Sequence, residues 1–488
     1  MTKDLFENKC TLSIVGGLVA VLFVATNLPW ELDDYDQAKQ AYTSFEMINA
    51  GRWFYQHTPH ERIATKPPLV GWISAALFGI TRSWELAWRL PSLLAAVALL
   101  ILLFRAARTG YGSAAGLIAL SALGLNLLTP RLATLVRTDM PLALVIFLIG
   151  VFIWKKIRAQ TAWTTRDRWS IFLLLTAGML IKGPIVYAFL LPGIVVAVVY
   201  DRRKILNAWS GWWPWLASLV IFVLWVIGGV IFQPGFFDQV VLHEFLGRFS
   251  ETVHRPQPVY FYLPHLLHKF APWSILVIAL AVIHFRATRN PDGLKPASLT
   301  SHISHETTWL IWWALGGLIV MSLVPSKRVD RIFPVIPPLC LLLAAQLGAA
   351  PKDETTRQRI WLWSAVALTS SILFATIYTG LKVMTGYRKH RDALVQFGRA
   401  VRAEAERHQW RYAVISTGDE GLLLYLRRLH FVKPATAVAE WNGGKINALV
   451  TTENSAPGLM GQLHDARFSE LRSHPSGRDH LVYVLIMR

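Results

Sequence analysis

The chain is poor in cysteine, in charged residues and especially in acidic residues. It has 2 cysteines among 488 residues, only 16% charged residues, and 30 acidic side chains against 49 lysines and arginines. Cys10 and Cys340 are far apart and form neither a disulfide pattern nor a metal-binding pattern, so we interpret them as structural. The low charge content excludes an ordinary soluble enzyme.

Apolar residues dominate instead. The hydrophobic fraction is 53% and the mean hydropathy is +0.39, which indicates a multispanning membrane protein. No small-residue cleavage site follows the first apolar run, so we expect a retained helix there. Runs of about 18 to 20 apolar residues predict about eleven or more crossings. The predicted spans lie near 11–29, 88–105, 113–130, 139–154, 168–181, 184–200, 212–232, 270–286, 307–325, 332–349 and 359–382.

The formal net charge of +19 raises the question of a nucleic-acid partner. The cations lie in loops between apolar runs, and no motif that combines base stacking with basic residues accompanies them, so we predict a lipid bilayer as partner and no nucleic acid. Lysines and arginines at 155–168 and 202–204 indicate the cytoplasmic side. This predicts a bacterial inner-membrane protein with a cytoplasmic N-terminus and a periplasmic C-terminal segment. We expect the protein to be a monomer.

The hydropathy drops towards the C-terminal end. We predict an all-α polytopic membrane domain over residues 1–382 and a small exported α/β domain over residues 383–488. Short runs at 412–416, 446–450 and 481–486 have the character of strands. The last of these lacks outward polar alternation, which predicts a central position in the sheet. Residues 37–50 and 67–81 are predicted to form helices at the outer membrane interface.

Four outward loops carry charge beside helix ends. An aspartate in such a loop can deprotonate a hydroxyl or stabilise a cationic sugar-ring transition state, while lysine and arginine can hold a departing phosphate. A single outward cation is also explained by anchoring to lipid headgroups, but several on this side run against the positive-inside trend. The prominent residues are Asp33, Asp34, Asp36 and Lys66 in the first loop, Arg137 and Asp139 in the second, His243, Glu244, Arg248, His254 and Tyr262 in the third, and Lys327, Asp330 and Arg331 in the fourth.

Several of these residues have a structural explanation of equal standing. Asp139 precedes Pro141, and a carboxylate with proline in the first turn is typical of a helix start. Lys182-Gly183-Pro184 is explained by turn chemistry. His243, Glu244 and His254 are the candidate ligands for a divalent metal, although their spacing matches no closed metal site.

The four loops, in this order, resemble the membrane glycosyltransferases that take a sugar from a polyprenyl phosphate, particularly the bacterial lipid A aminoarabinose transferases and the protein mannosyltransferases. The resemblance covers most of residues 20 to 350. The matching residues are Asp36-Gln37, Ala41, Glu46-Met47, Gly51-Arg52-Trp53, Lys66-Pro67-Pro68-Leu69, Arg89-Leu90-Pro91, Arg137-Thr138-Asp139-Met140-Pro141, Phe245, Arg248-Phe249, His254, Pro258, Tyr262, Pro272-Trp273, Ser326-Lys327, Pro334 and Pro337.

The resemblance implies a GT-C membrane fold and a polyprenyl-phosphate-linked sugar as donor. It selects Asp36 over Asp33 and Asp34 as the loop aspartate, and it implies that Asp36 and Asp139 face the sugar and the acceptor. By the same resemblance, the candidate residues for binding the donor are Lys66, Arg248, Lys327, Tyr262 and Arg331.

The sequence also departs from the family pattern. Gln37 stands where the family usually has glutamate, Thr65 replaces a glutamate that can help to hold a metal, and Arg331 occupies a common tyrosine position. The sugar and the acceptor, which could be lipid A, another envelope glycan or a protein, therefore stay open. A polytopic transporter or flippase is the alternative function, and a scaffold that presents the C-terminal domain is a third.

Overall fold

The computed structural model describes residues 2–32, 35–200, 208–248, 256–289, 305–349, 353–476 and 481–488. These residues form a mostly helical protein with one four-stranded sheet near the C-terminal end. A helix occupies the position of every predicted span. The first helices are α1 (Thr2–Glu7), α2 (Lys9–Ala25), α3 (Tyr35–Ala50), α4 (Leu69–Thr81), α5 (Trp84–Tyr111), α6 (Ser113–Gly124), α7 (Thr129–Ala133), α8 (Asp139–Ala159), α9 (Thr165–Lys182), α10 (Ile185–Tyr200) and α11 (Trp212–Phe232).

The second half of the chain begins with short irregular helices. A π-helix at Phe237–Phe245 and 3-10 helices at Leu246–Arg248 and Val259–Phe261 precede α12. A third 3-10 helix, Val329–Val335, precedes α15. The remaining helices are α12 (Tyr262–Lys269), α13 (Trp273–Arg289), α14 (His305–Leu323), α15 (Ile336–Gly348), α16 (Glu354–Arg388), α17 (Ala393–Arg407), α18 (Gly421–Tyr425), α19 (Pro434–Asn442) and α20 (Ala456–Met460).

Many of these helices are suited to a bilayer. Among the described residues, 6 helices are long and apolar enough to cross a membrane, and the bent pair Val259–Lys269 and Trp273–Arg286 would make 7. Shorter apolar helices lie at Lys9–Ala25, Leu69–Thr81, Ser113–Gly124 and Ile185–Val199. The predicted fold class, a polytopic helical membrane protein with a small C-terminal mixed sheet, is confirmed, while the number of about eleven crossings stays a prediction.

The chain forms two compact units. The first, here called the membrane unit, comprises Met1–Val24, Thr65–Val70 and Leu90–Tyr378. Helices α8, α10 and α14 pack together in it. At Gly150 on α8, the Trp309 indole donates to the glycine carbonyl over 3.2 Å, and a Cβ atom would overlap the ring of Trp313. Glycine is needed here because a small residue lets α14 approach α8 closely.

The second unit, here called the loop unit, comprises Ala25–Ala64, Gly71–Arg89 and Thr379–Arg488. Its strands are β1 (Tyr412–Val414), β2 (Ala448–Thr452), β3 (Arg467–Arg472) and β4 (Tyr483–Met487). The order is β1-β2-β4-β3, with β1 parallel to β2 and β4 antiparallel to both neighbours. The predicted central position of the last strand is confirmed.

Strand β3 was not predicted because its alternating residues are exposed or only half-buried, so it carries no hydrophobic run. One face of the sheet is instead covered by a core around Trp441, Leu449 and Ile486.

Helix α3 of the first loop is attached to the C-terminal segment within the loop unit. The Tyr42 hydroxyl donates to the backbone carbonyl of Leu429, and the Leu32 amide donates to the Tyr425 hydroxyl over 2.6 Å. The buried Glu46 carboxylate accepts from the Arg52 guanidinium at 2.9 Å and from the His57 amide at 2.6 Å. These bonds fix the predicted Asp36-bearing helix, and the domain limit at 382 stays a prediction.

Replacing Gly150 by alanine should destabilise the membrane unit by about 1 to 3 kcal/mol, because the new methyl group overlaps the Trp313 ring. The measurement is thermal unfolding in detergent. Gly17→Ala is the matched control, since no heavy atom lies within 4 Å of its Cβ position. Equal melting temperatures for the two variants would contradict close packing of α14 on α8.

Candidate functional site

Asp139 is the first residue of α8 and is only 6% exposed. Its position at the helix N-terminus favours the ionised carboxylate. The Lys182 ammonium, at the last residue of α9, donates to Asp139 Oδ1, and α8 and α9 pack side by side. A buried carboxylate is therefore matched by a half-buried ammonium across two helices.

The turn explanation for Lys182-Gly183-Pro184 covers only part of this segment. Gly183 has a φ of +76°, which glycine adopts without strain, and it ends α9. The lysine, however, is a charge partner of Asp139. The sequence shows an outward lysine at the end of a helix, but it does not show which carboxylate this lysine contacts.

A second ion pair lies beside the first. Arg137 Nη1 is 2.8 Å from Asp330 Oδ2, and Arg131 Nη1 is 3.7 Å from Asp330 Oδ1. Arg137 and Asp330 are both buried, and the segment that carries Asp330 packs on α8. The Ser92 hydroxyl, which follows the Arg89-Leu90-Pro91 motif, donates to the Leu135 carbonyl at 2.6 Å. The second and fourth predicted loops thus meet in the membrane unit.

The fourth loop holds its two predicted binding residues in buried positions. Lys327 Nζ donates to the Gln257 carbonyl at 2.9 Å, and burial lowers the pKa of this ammonium. Arg331 Nη1 donates to the Ser326 carbonyl at 2.8 Å. The fully buried Tyr262 side chain lies within electrostatic reach of Arg331. The third-loop tyrosine and the fourth-loop arginine are therefore neighbours.

Lys66 belongs to the same unit, is half-buried and acts electrostatically on Asp139. Among the described charged residues that these contacts and segments bring together, six cations accompany two carboxylates. A poorly solvated surplus of positive charge favours binding of an anion such as a phosphate. We call this set the cation cluster, and its members are Lys66, Arg131, Arg137, Lys182, Lys327, Arg331, Asp139 and Asp330.

Asp36 lies in the loop unit, in the first turn of α3, and is half-buried. The two predicted catalytic aspartates thus belong to different units. Asp36 acts electrostatically on Glu420, a buried carboxyl at the start of α18. Burial raises the pKa of Glu420 to about 7, although Lys39 and Arg62 oppose the shift. The sequence analysis did not identify Glu420, because nothing in residues 418–421 matches a recognised motif.

Other predicted residues have less defined surroundings. Asp33, Asp34 and His254 lie outside the described residues, and so does the side chain of Arg248. On the π-helix, His243 is exposed and Glu244 is half-buried. Across the described ranges no three histidine, cysteine, aspartate or glutamate side chains converge as a metal site. Because His254 lies outside the described residues, the metal-binding role of His243, Glu244 and His254 stays a prediction.

Replacing Lys182 by methionine should destabilise the protein by about 3 to 5 kcal/mol, because Asp139 then stays buried without its charge partner. Adding Asp139→Asn should restore most of the lost stability. The measurement is a double-mutant cycle of thermal unfolding in detergent. Additive losses in the double variant would contradict a direct interaction between the two side chains.

The sequence of this chain is similar to those of known proteins. Residues 65–228 match the family model described as dolichyl-phosphate-mannose-protein mannosyltransferase. The chain is 26% identical over 385 residues to an undecaprenyl phosphate-alpha-4-amino-4-deoxy-L-arabinose arabinosyl transferase of Shewanella sediminis, covering 76% of this chain and 66% of the relative. A protein of the same name from Aeromonas hydrophila is 27% identical over 358 residues, covering 70% of this chain and 61% of the relative. The chain thus spans slightly less than two thirds of the length of these curated relatives.

Solved structures show the same fold. The crystal structure of ArnT from Cupriavidus metallidurans bound to undecaprenyl phosphate has a TM-score of 0.67 at 18% identity, covering 97% of this chain and 98% of that one. An oligosaccharyltransferase from Archaeoglobus fulgidus in the apo form has a TM-score of 0.53 at 13% identity, covering 94% of this chain and 72% of that one. The predicted resemblance is confirmed: this chain is a multi-pass membrane protein with the fold of these solved structures, and its sequence resembles the aminoarabinose transferases and the protein mannosyltransferase family model.

Proposed function

We propose that this protein transfers a sugar from a polyprenyl phosphate to a cell-envelope acceptor. The observation that carries the proposal is the cation cluster, in which Lys66 of the first loop joins Asp139, Lys182 and Arg137. A phosphate ester buried at a bilayer surface needs cations, and here they exceed the carboxylates in the same unit. The relatives named after undecaprenyl phosphate support a polyprenyl phosphate as the anion.

The leaving group explains why cations matter more than an acid in this reaction. When a nucleophile attacks the anomeric carbon, the bond from that carbon to the phosphate oxygen breaks, and negative charge grows on the phosphate. Preorganised cations stabilise this charge without having to reorient. Lys66, Lys327, Arg248 and Arg331 are the proposed phosphate ligands, with Tyr262 beside them. A single displacement of this kind inverts the anomeric configuration.

The two aspartates have different roles in this proposal. Asp139 is engaged by Lys182, so its carboxylate serves to hold the lysine and to balance the cluster rather than to remove a proton. Asp36 is half-buried in the other unit and is the proposed base for an acceptor hydroxyl. If the acceptor group is a phosphate, no base is required and Asp36 instead stabilises positive charge on the sugar ring.

The donor sugar and the acceptor follow from the relatives only as proposals. The names of the curated relatives specify 4-amino-4-deoxy-L-arabinose as the sugar. Lipid A is the acceptor that the family resemblance implies. Gln37, Thr65 and Arg331 depart from the family pattern, so another pentose or hexose fits the same machinery. The reaction is proposed at the periplasmic face of the bacterial inner membrane. The displacement as proposed here is written without a metal.

Replacing Asp36 by asparagine should lower sugar transfer at least about 100-fold, because the amide cannot accept the acceptor proton or match a cationic ring. The assay is release of undecaprenyl phosphate from undecaprenyl-phosphate aminoarabinose by purified protein in lipid nanodiscs that contain lipid A as acceptor. Thermal unfolding should be unchanged, since Asp36 is only half-buried.

Asp465→Asn is the control for this change, because Asp465 is an exposed aspartate of the same unit. It should retain the wild-type rate. Full activity of the Asp36 variant would contradict its assignment as the catalytic carboxylate.

Replacing Lys66 by methionine should raise the KM for the donor about 10-fold or more, because one charge-assisted contact to the phosphate is lost. Lys433→Met, which removes an exposed lysine of the loop unit, should leave this KM unchanged. Steady-state kinetics at several donor concentrations make the comparison. An unchanged KM in the Lys66 variant would place the phosphate elsewhere.

A further inference from the structure

Glu420 is a buried carboxyl group without a hydrogen-bond partner in the part of the chain that the structure describes. The residue is 3% exposed, and neither of its side-chain oxygens has a hydrogen-bond partner among the described residues. His60 Nε2 lies 3.8 Å from Glu420 Oε1, which is too far for a hydrogen bond. Burying a carboxyl group in this way lowers stability, so a purely structural role does not explain glutamate at this position.

The surroundings of Glu420 are polar on several sides. Lys39 and Asp36 on α3 and Arg62 in the following loop all act on it electrostatically, and His60 stacks on Phe431 with ring centroids 5.2 Å apart. All of these residues belong to the loop unit. Burial lowers the pKa of His60, with Arg62 and Lys39 adding to the effect. The neutral histidine therefore does not neutralise Glu420 at neutral pH.

The position next to Asp36 links Glu420 to the proposed reaction. A carboxylate that accepts no hydrogen bond from the protein is satisfied by a ligand that donates one, and sugars carry such groups as hydroxyls or ammonium groups. Lys39 and Arg62 favour the ionised form of Glu420, whereas the neighbouring Asp36 carboxylate opposes it.

We propose that Glu420 is a specificity-determining residue that accepts a hydrogen bond from a hydroxyl or ammonium group of the transferred sugar. This inference rests on the proposed function, because it places the sugar at Asp36. The same arrangement makes sugar binding sensitive to pH. Burial raises the pKa of Glu420 to about 7, so the accepting, ionised form grows as the pH rises through neutrality.

The test compares Glu420→Gln, Glu420→Asp and the control Glu470→Gln, which removes an exposed carboxylate of β3. Purified proteins in nanodiscs receive undecaprenyl-phosphate aminoarabinose or the matching arabinose donor, which has a hydroxyl in place of the amine. Glu420→Gln should raise the donor KM at least about 10-fold, and Glu420→Asp should recover part of the loss. A larger effect on the amino sugar identifies an ammonium as the bound group, and equal effects identify a hydroxyl.

The pH profile separates this role from a structural one. In the wild-type protein the donor KM should fall between pH 6 and pH 8, and this fall should be absent in Glu420→Gln. The variant should also melt at a higher temperature than wild type at pH 8 and show a smaller gain at pH 5. The reason is that the native state keeps a proton that the unfolded carboxyl releases, so wild-type stability declines as the pH rises through about 7.

Unchanged donor KM, or a KM increase accompanied by a lower melting temperature, would overturn the inference. If wild-type protein releases no undecaprenyl phosphate, the proposed function fails. The role of Glu420 is then tested separately by measuring how strongly the donor binds. The aminoarabinose donor should raise the melting temperature of wild-type protein more than that of Glu420→Gln. Equal increases would exclude Glu420 from the sugar site.

Discussion

A carboxylate inside an apolar helical protein must have a charge partner, and the pairing of Asp139 with Lys182 meets this need. It joins the N-terminus of α8 to the C-terminus of α9, so the charge requirement also fixes where two helices meet. Arg137 and Asp330 add a parallel connection to the fourth loop. The remaining cations of the cluster are then in excess, which is what a phosphate-binding surface requires.

The loop unit follows a different rule. Its buried groups Glu46 and Tyr42 are satisfied by bonds within the unit, and these hold the helix that carries Asp36. Glu420 differs from them, since neither of its carboxyl oxygens has a hydrogen-bond partner among the residues that the structure describes. Glu46 and Tyr42, whose hydrogen bonds are satisfied, therefore stabilise the loop unit, whereas Glu420 belongs to the site proposed around Asp36. A buried polar group that lowers stability, in an otherwise well-packed surrounding, is typical of functional residues.

The sequence predicted those features that depend on local pattern. Hydropathy located a helix at each predicted span, and the loop motifs selected Lys66, Asp139, Lys327 and Tyr262, all of which lie in one unit. It did not predict Lys182 as a partner of Asp139, because the two residues are 43 positions apart and meet only through helix packing. Glu420 and the edge strand β3 were also missed, since burial of the first and pairing of the second depend on tertiary contacts.

The central claim is that the cation cluster holds a lipid phosphate while the sugar leaves it. The most direct measurement follows one turnover of purified wild-type protein with undecaprenyl-phosphate aminoarabinose and lipid A, quantifying both products by mass spectrometry. The account predicts one molecule of free undecaprenyl phosphate for each sugar transferred, with inverted anomeric configuration. An intact donor that is merely moved across the bilayer, or release of undecaprenyl pyrophosphate, would contradict it.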